Sequence, residues 1–262
     1  MKKQILILAV FAIAVIQFWG CSKDGGIFGN IKGSGNIVEI DYNYSDFEKV
    51  DVSDAFELTV IESDTFFVQI RIDDNLAQYV KVQNSDGWLS IGMIDGHSYN
   101  RAHLKAEVYM PKIIELEGSG ASVITSNSYN DSTDFRLELS GASVYTGTMA
   151  ANNYEVMLSG ASVINISGSC ENFYIDASGA SIANVNGTCS NQYIDASGAS
   201  VFSMGNFNSI VAIIELSGAS DVTINVSEHL DAKLSGASVL KYYGDPFLGN
   251  ISITGASVLT KL

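Results

Sequence analysis

A four-residue motif that recurs at a nearly constant interval is the strongest structural constraint in this sequence. Ser-Gly-Ala-Ser or Thr-Gly-Ala-Ser occurs eight times between residues 119 and 257, at successive offsets of 21, 19, 19, 19, 20, 18 and 19 residues. A fixed period of this length is typical of a solenoid, in which each repeat buries its apolar face against its neighbours. The motifs therefore predict about eight stacked coils in residues 117–262.

The residues before each motif assign the repeat to β-strands. In segments 135–139, 154–158 and 173–177, the first, third and fifth residues are apolar. This period of two is typical of a strand with one buried face. We predict an all-β chain folded as a right-handed, single-stranded β-helix. The leucine-rich repeat has a similar period but is disfavoured, because its spaced leucines and asparagine do not occur.

Each motif is predicted to form a sharp bend, since glycine adopts conformations that are closed to other residues. The bend glycines are Gly120, Gly141, Gly160, Gly179, Gly198, Gly218, Gly236 and Gly255. After the bend we expect the alanine and the next branched residue to point inward; these branched residues are Val123, Val144, Val163, Ile182 and Val201. A second turn is predicted at Gly147, Gly168, Gly187 and Gly205.

Residues 33–116 form a second region, less regular but also alternating. Segments such as 56–60 and 67–72 predict strands, and Asp86-Gly87 predicts a hairpin turn. We interpret this half as a β-rich cap that closes the N-terminal end of the stack. The glycine-rich stretch at residues 21–32 predicts a flexible tether.

Residues 1–20 have the layout of a secretory signal peptide. Lys2 and Lys3 precede an apolar run at residues 5–19, which is shorter than the roughly 20 residues that span a bilayer. The following Phe18-Trp19-Gly20-Cys21 resembles the lipobox of bacterial lipoproteins. This resemblance implies that Cys21 is lipidated, and that the chain is attached by this anchor to the outer membrane of a Gram-negative bacterium, on the cell surface or the periplasmic side.

The charge of the chain disfavours one class of partner. With 14 basic and 29 acidic residues, the formal net charge is −15. Nucleic acid binding needs clustered cations, so we expect no nucleic acid partner. We also expect no cofactor.

Stacking turns one repeat position into a column of acidic residues. Two residues before the motif stand Glu117, Glu138, Asp176, Asp195 and Glu215, with Met157, Lys233 and Ser252 in the other coils. Like charges about 5 Å apart repel in water by on the order of 1 kcal/mol per pair. A cation such as Ca²⁺, or a basic group of a partner, would relieve this repulsion, above all at Asp176 and Asp195. A solvated polar face without a ligand is the alternative.

Two tyrosines and two cysteines also occupy equivalent positions in consecutive coils. Tyr174 and Tyr193 are predicted to point outward, where they could contact a glycan or simply pack on each other. Cys170 and Cys189 are 19 residues apart, so they should lie on neighbouring rungs. A disulfide between them and a pair of buried thiols are both open.

An enzymatic role is disfavoured by the residues available. Polysaccharide lyases with β-helical folds need a base and cations that hold acidic sugars, but Arg136 is the one arginine within the repeat. The histidines, His97, His103 and His229, are scattered, and no Ser-His-Asp or metal-ligand spacing occurs. The sequence therefore predicts binding rather than catalysis.

Several segments together resemble the GIN-head family of adhesins. They are Gly33-Ser34-Gly35-Asn36, Phe47-Glu48-Lys49-Val50, Tyr109-Met110-Pro111 and the Ser-Gly-Ala-Ser ladder. The resemblance implies a right-handed β-helix related in shape to pectin-lyase folds, with glycine motifs at the tight bends. It also implies an adhesin that binds a surface protein or glycan, or, alternatively, a structural or ligand-sensing envelope module.

The last coil, residues 251–259, is as regular as the others. An uncapped rung exposes unpaired backbone groups, so we expect self-association through the open end or a flat face of the solenoid.

Overall fold

The protein is an all-β solenoid. The computed structural model describes residues 29–130 and 133–262, and its regular structure is almost entirely β-strand, with one short 3₁₀ turn at Ala77–Tyr79. Across this described part, no helix has both the length and the apolar character needed to cross a membrane. The predicted signal peptide, Cys21 and most of the tether lie outside the described residues.

The strands divide into those before the repeat and those within it. Before the repeat are β1 (Asn30–Lys32), β2 (Ile37–Tyr42), β3 (Lys49–Val52), β4 (Glu57–Glu62), β5 (Phe67–Asp73), β6 (Val80–Ser85), β7 (Trp88–Met93), β8 (Ser98–Asn100) and β9 (Leu104–Met110). Within it are β10 (Glu115–Gly118), β11 (Val123–Asn130), β12 (Phe135–Leu139), β13 (Val144–Leu158), β14 (Val163–Ala177), β15 (Ile182–Ala196), β16 (Val201–Leu216), β17 (Asp221–Leu234), β18 (Val239–Tyr243), β19 (Phe247–Ile253) and β20 (Val258–Lys261).

The repeat strands stack in parallel; the register is continuous from β13 to β15 and shifts locally in the pairs β11–β13, β15–β16, β16–β17 and β17–β19. Strand β14 pairs with β15 from Val163–Ile182 to Ala177–Ala196, a shift of one 19-residue period. Equivalent residues of successive coils are therefore direct neighbours. The eight motifs bound about seven complete turns, so the predicted count of eight coils is one too high. Each turn lies between two motifs, and the first and last motifs are the ends of the series.

The bends owe their shape to glycine and to the rung beneath. The bend glycines have positive φ, as in Gly160 at 71° and Gly179 at 77°. The amide of Ala161 donates to the carbonyl of Gly141 at 2.7 Å, and the same bond links each later bend to the one before it. The bends therefore stack as tightly as the strands.

The last serine of each motif faces the interior, which corrects our expectation for this segment. Ser143, Ser162 and Ser181 are fully buried, whereas Val123, Ile182 and Val201 are exposed by 40–44%. The alternation continues in phase through the bend, so the alanine and the branched residue point outward. The buried hydroxyl is satisfied locally, because Ser162 Oγ donates to the carbonyl of Ser159 at 2.8 Å.

The predicted second turn is not a break between strands. Strands β13 to β17 run through it, but the buried positions change from Ile164 and Ile166 to Phe173 and Ile175. The buried residues thus change from even-numbered to odd-numbered positions within one strand, which shows that the chain turns there. Of the predicted glycines, Gly187 has a positive φ, 126°.

Apolar side chains fill the interior in columns. An aromatic column runs through Phe135, Tyr154 and Phe173, with successive ring centroids 5.1 and 5.8 Å apart. Phe207 comes from a different repeat position and packs edge-on against Phe173 at 5.1 Å. All four rings are buried. Burial of these rings, at about 25 cal/mol per Å² of apolar surface, stabilises neighbouring coils together.

The N-terminal half is joined to the stack by parallel pairing. Strand β3 pairs with β10, and β4 pairs with β11, so this half provides the rung below the first repeat. Strand β9 pairs in parallel with β4, β5 and β2 extend the sheet from β9 by antiparallel pairing, and the predicted hairpin at Asp86-Gly87 connects β6 and β7. The cap is thus continuous with the solenoid sheet.

We expect Gly160→Ala to destabilise the protein by more than about 3 kcal/mol, because it combines a strained backbone with a clash. A Cβ at this residue would lie 2.5 Å from the carbonyl oxygen of Gly141. Gly87→Ala is the matched control, because φ is 80° there but nothing lies within 4 Å of the added Cβ. It should cost about 1–2 kcal/mol. Equal losses in urea unfolding would contradict the role of bend stacking.

Candidate functional site

The candidate site lies on the outward side of the strand segments that precede the bends, which we call the acidic face. Its central column is aligned by register, since Asp176 pairs with Asp195 and Asp195 with Glu215. Glu117 pairs with Glu138 at the other end. The column also continues into the cap through Asp51, opposite Glu117. The repeat does not predict this residue, because the cap has no Ser-Gly-Ala-Ser motif.

Basic side chains neutralise parts of this column and leave its centre unpaired. Arg136 lies 3.1 Å from Glu138 and 3.5 Å from Glu155, and Lys233 lies 3.0 Å from Glu215. Within residues 29–130 and 133–262, neither Asp176 nor Asp195 forms an ion pair. Unpaired carboxylates thus remain at two places in the column, Asp176 with Asp195 at its centre and Glu117 with Asp51 at the cap.

The electrostatic environment raises the pKa values of several carboxyls in the column. Burial, followed by the negative charges of Asp176 and Glu215, raises the pKa of Asp195 above its ordinary value. Burial and the neighbouring carboxylates, first Asp51 and then Glu138, likewise raise the pKa of Glu117. A raised carboxyl pKa means that the charged form is disfavoured in the folded state.

The tyrosine pair lies beside the unpaired carboxylates. The rings of Tyr174 and Tyr193 are stacked, with centroids 4.6 Å apart and planes within 7°. A sugar could not stack on the two faces that touch. Tyr174, Tyr193 and Ile213 form the apolar part of an open groove of about 310 Å³, and Asp176, Asp195 and Glu215 form its acidic part. The structure thus brings together two sets of residues that the sequence indicated separately.

A metal site is less well matched to this geometry than a basic group. Among the described residues, no three His, Cys, Asp or Glu side chains converge as metal ligands would. The carboxylates instead form a line along the solenoid axis. Such a line can accept hydrogen bonds from an extended cationic group.

The two cysteines lie opposite each other on neighbouring rungs, and both are free thiols in the structure. A hydrogen bond with Cys170, together with burial, raises the pKa of the Cys189 thiol. A thiol held in this protonated form is a poor nucleophile. The disulfide stays a prediction.

Two of the histidines contact carboxylates and do not line the groove. His103 donates its backbone amide to the buried Asp73 at 2.8 Å, in the cap. His229 lies 2.9 Å from Asp231, in a later coil. Asp231 pairs with the groove residue Ile213, so the His229–Asp231 pair lies on the rung next to the groove.

We expect Asp195→Asn to raise the melting temperature at neutral pH. Because the pKa of Asp195 is raised in the folded state, the native protein holds its proton to higher pH than the unfolded chain does. Stability due to this group is therefore present below the ordinary aspartate pKa and is lost as the pH rises through the raised value. The gain in the variant should vanish in acid, where both chains are neutral at this position.

Asp64→Asn is the control for that experiment, because it removes one charge from an exposed residue outside the column. Melting curves recorded from neutral to acidic pH should be parallel for this control and the native chain. A melting temperature for Asp195→Asn that follows the native curve at every pH would contradict repulsion within the column.

Comparison with known proteins agrees with the fold. A search of the curated proteins found no match. A "putative lipid binding protein" from Parabacteroides distasonis ATCC 8503 has a similar structure, with a TM-score of 0.84 and 17% identity over 89% of this chain and 100% of that chain. A "putative adhesin" from Parabacteroides merdae ATCC 43184 gives a TM-score of 0.83 and 14% identity over 89% and 99% of the two chains.

The sequence also matches a protein family over most of its length. The family is described as "Putative auto-transporter adhesin, head GIN domain", and it matches residues 46–185 and 175–246. The matched segments include residues 46–116 of the cap and seven of the eight bend motifs. The family resemblance drawn from the motifs is therefore confirmed, and this chain belongs to the GIN-domain family of auto-transporter adhesin heads.

Proposed function

We propose that this chain is the non-catalytic binding head of an outer-membrane lipoprotein, and that it binds a basic segment of a partner protein through the acidic face. One observation carries the proposal. Unpaired carboxylates and a stacked pair of tyrosines border the same groove on the solenoid sheet. The adhesin family to which the chain belongs supports a surface-binding role.

The groove matches the chemistry of arginine and lysine. Their methylene stems can lie along Tyr174, Tyr193 and Ile213, while the charged head reaches Asp176 and Asp195. Ladder hydrogen bonds on both sides fix the strands that carry these residues. Little conformational freedom is then lost on binding.

The location of the histidines favours binding over catalysis. Histidine is the side chain that most often serves as a general acid or base. His103 and His229 do not line the groove and are engaged with Asp73 and Asp231. A β-helical polysaccharide-active enzyme is accordingly the weaker candidate.

Anchoring through Cys21 would hold the solenoid at the membrane. Several acyl chains on one cysteine would give stable attachment, because each buried CH₂ contributes about 0.8 kcal/mol. Self-association through the exposed last strands stays part of the proposal, since Phe247, Ile253 and Val258 are largely exposed.

The second candidate function is a structural or ligand-sensing module that faces the periplasm.

On intact cells, we expect a membrane-impermeant lysine reagent to label the mature protein. A periplasmic protein of the same cells, which should stay unlabelled, controls for leakage. Cys21→Ala should release the chain from the membrane fraction. Protection of the native chain in intact cells, with labelling after lysis, would reject the surface adhesin and favour the periplasmic module.

A peptide that contains Arg-Gly-Arg should bind the purified chain, and a matched Glu-Gly-Glu peptide should not. We expect Asp176→Asn combined with Asp195→Asn to weaken binding about tenfold, or about 1.4 kcal/mol. Added salt should weaken binding to the native chain in the same direction. Asp64→Asn combined with Asp95→Asn is the control for net charge, because it also removes two charges and both residues are exposed outside the column. Equal affinity of all three proteins in calorimetric titration would rule out the groove as the basic-ligand site.

A further inference from the structure

The outward side of the strand segments that follow the bends has a different chemistry from the acidic face; we call it the neutral face. One of its columns is uncharged over consecutive rungs and consists of Thr59, Thr125, Thr146, Asn165, Asn184, Ser203 and Thr223. In a chain with a formal charge of −15, this column is set apart by its lack of carboxylates between Glu107 and Lys241, which flank it.

A cavity of about 540 Å³ opens on this face, and its side chains are uncharged. Its polar lining includes Asn184, Asn186, Asn206, Thr223 and Asn225, and Tyr243 borders it. Charged residues on the adjacent strands are paired with each other, since Lys241 Nζ lies 2.9 and 3.0 Å from the two carboxylate oxygens of Asp221. The cavity therefore offers neither sign of charge to a ligand.

Two of the amides are held in place by neighbouring rungs. The side-chain nitrogen of Asn184 donates to Asn165 Oδ1 at 2.9 Å, and that of Asn225 donates to Asn208 Oδ1 at 2.7 Å. These bonds fix both planes and direct the donors along the asparagine ladders. The Oδ1 acceptors of Asn184 and Asn225 are thereby positioned before any ligand arrives.

Two further amides are available. Asn186 and Asn206 are exposed, and across the described ranges their side chains form no hydrogen bond with the protein. Each amide presents both a donor and an acceptor. Together with the amides of Asn184 and Asn225, they can bind ligand groups that both donate and accept hydrogen bonds.

Tyr243 supplies an aromatic surface beside these amides. It pairs with Asn225 on the adjacent strand and is 44% exposed. Its ring lies against Gly205, where an added Cβ would stand only 3.1 Å from Tyr243 Cε2. Because Gly205 has no side chain, the Tyr243 ring packs close to the backbone of the neighbouring coil. The rest of the ring faces solvent.

We propose that this cavity binds an uncharged sugar unit. Sugar hydroxyls donate and accept hydrogen bonds, which suits amides and threonine, and the C–H face of a pyranose packs on an exposed aromatic ring. A charged ligand would lose hydration without gaining a counter-charge, and an apolar ligand would leave the amides unpaired. This site is on a different sheet face from the acidic groove, so it goes beyond the binding function proposed above.

The test is saturation-transfer NMR with neutral disaccharides built from glucose, galactose, mannose and N-acetylglucosamine, with a glucuronate-containing disaccharide as the charged comparison. At least one neutral sugar should bind, and the glucuronate compound should bind at least tenfold more weakly. Tyr243→Ala should reduce the affinity at least tenfold, whereas Tyr243→Phe keeps the ring and should bind like the native chain. Asn206→Asp, at an exposed position, should also weaken binding.

Melting curves of each variant separate lost binding from lost folding. The combined Asp176→Asn and Asp195→Asn variant, which tests the acidic groove, should retain sugar binding, so the two proposals can fail independently. Absence of binding by every neutral sugar, preference for glucuronate, or unchanged affinity in folded Tyr243→Ala and Asn206→Asp would overturn the proposal.

Discussion

The contact on which the rest of this structure depends is the stacking of one bend glycine on the carbonyl of the bend below. The next alanine donates its amide to that carbonyl at 2.7 Å in most coils, so the hydrogen-bonded ladder continues through the corner. A side chain at the glycine would meet backbone atoms that cannot move aside. Because both the positive φ and the close approach exclude a Cβ, the corner tolerates glycine and the rungs stay in register.

Register explains how residues nineteen positions apart become functional neighbours. Tyr174 and Tyr193 stack, and Asp176 and Asp195 align, because the bends allow no slippage between β14 and β15. A one-residue slip would move these side chains to the interior. The groove residues are therefore aligned by the stacked bends rather than by contacts among the groove side chains themselves.

The sequence predicted the strands and bends of each coil, but it was much less informative about contacts between different coils. The motif and the apolar alternation predicted the bends, the strands and the aligned columns. They predicted the wrong direction for Val123 and its equivalents, because the buried serine meets its hydrogen-bonding need within the bend and a polar residue could occupy the core. The role of Arg136 was also missed, since its ion pairs connect three different coils and have no local signature. The cavity at Tyr243 depends on a register shift between β16 and β17, which no single repeat encodes.

The acidic column has an energetic cost that the fold does not require. Isosteric neutral residues would align equally well, as the asparagine ladder of Asn153, Asn172 and Asn191 demonstrates with bonds of 2.7 and 2.8 Å. At Asp176 and Asp195 the same geometry instead places two unpaired charges side by side, and the pKa of Asp195 is raised in consequence of burial and this repulsion. A ligand with positive charge would recover the lost free energy on binding. A positively charged partner would therefore gain most free energy where the carboxylates of the solenoid repel each other. For this reason the acidic groove, rather than the neutral face, is the better candidate for the principal protein contact.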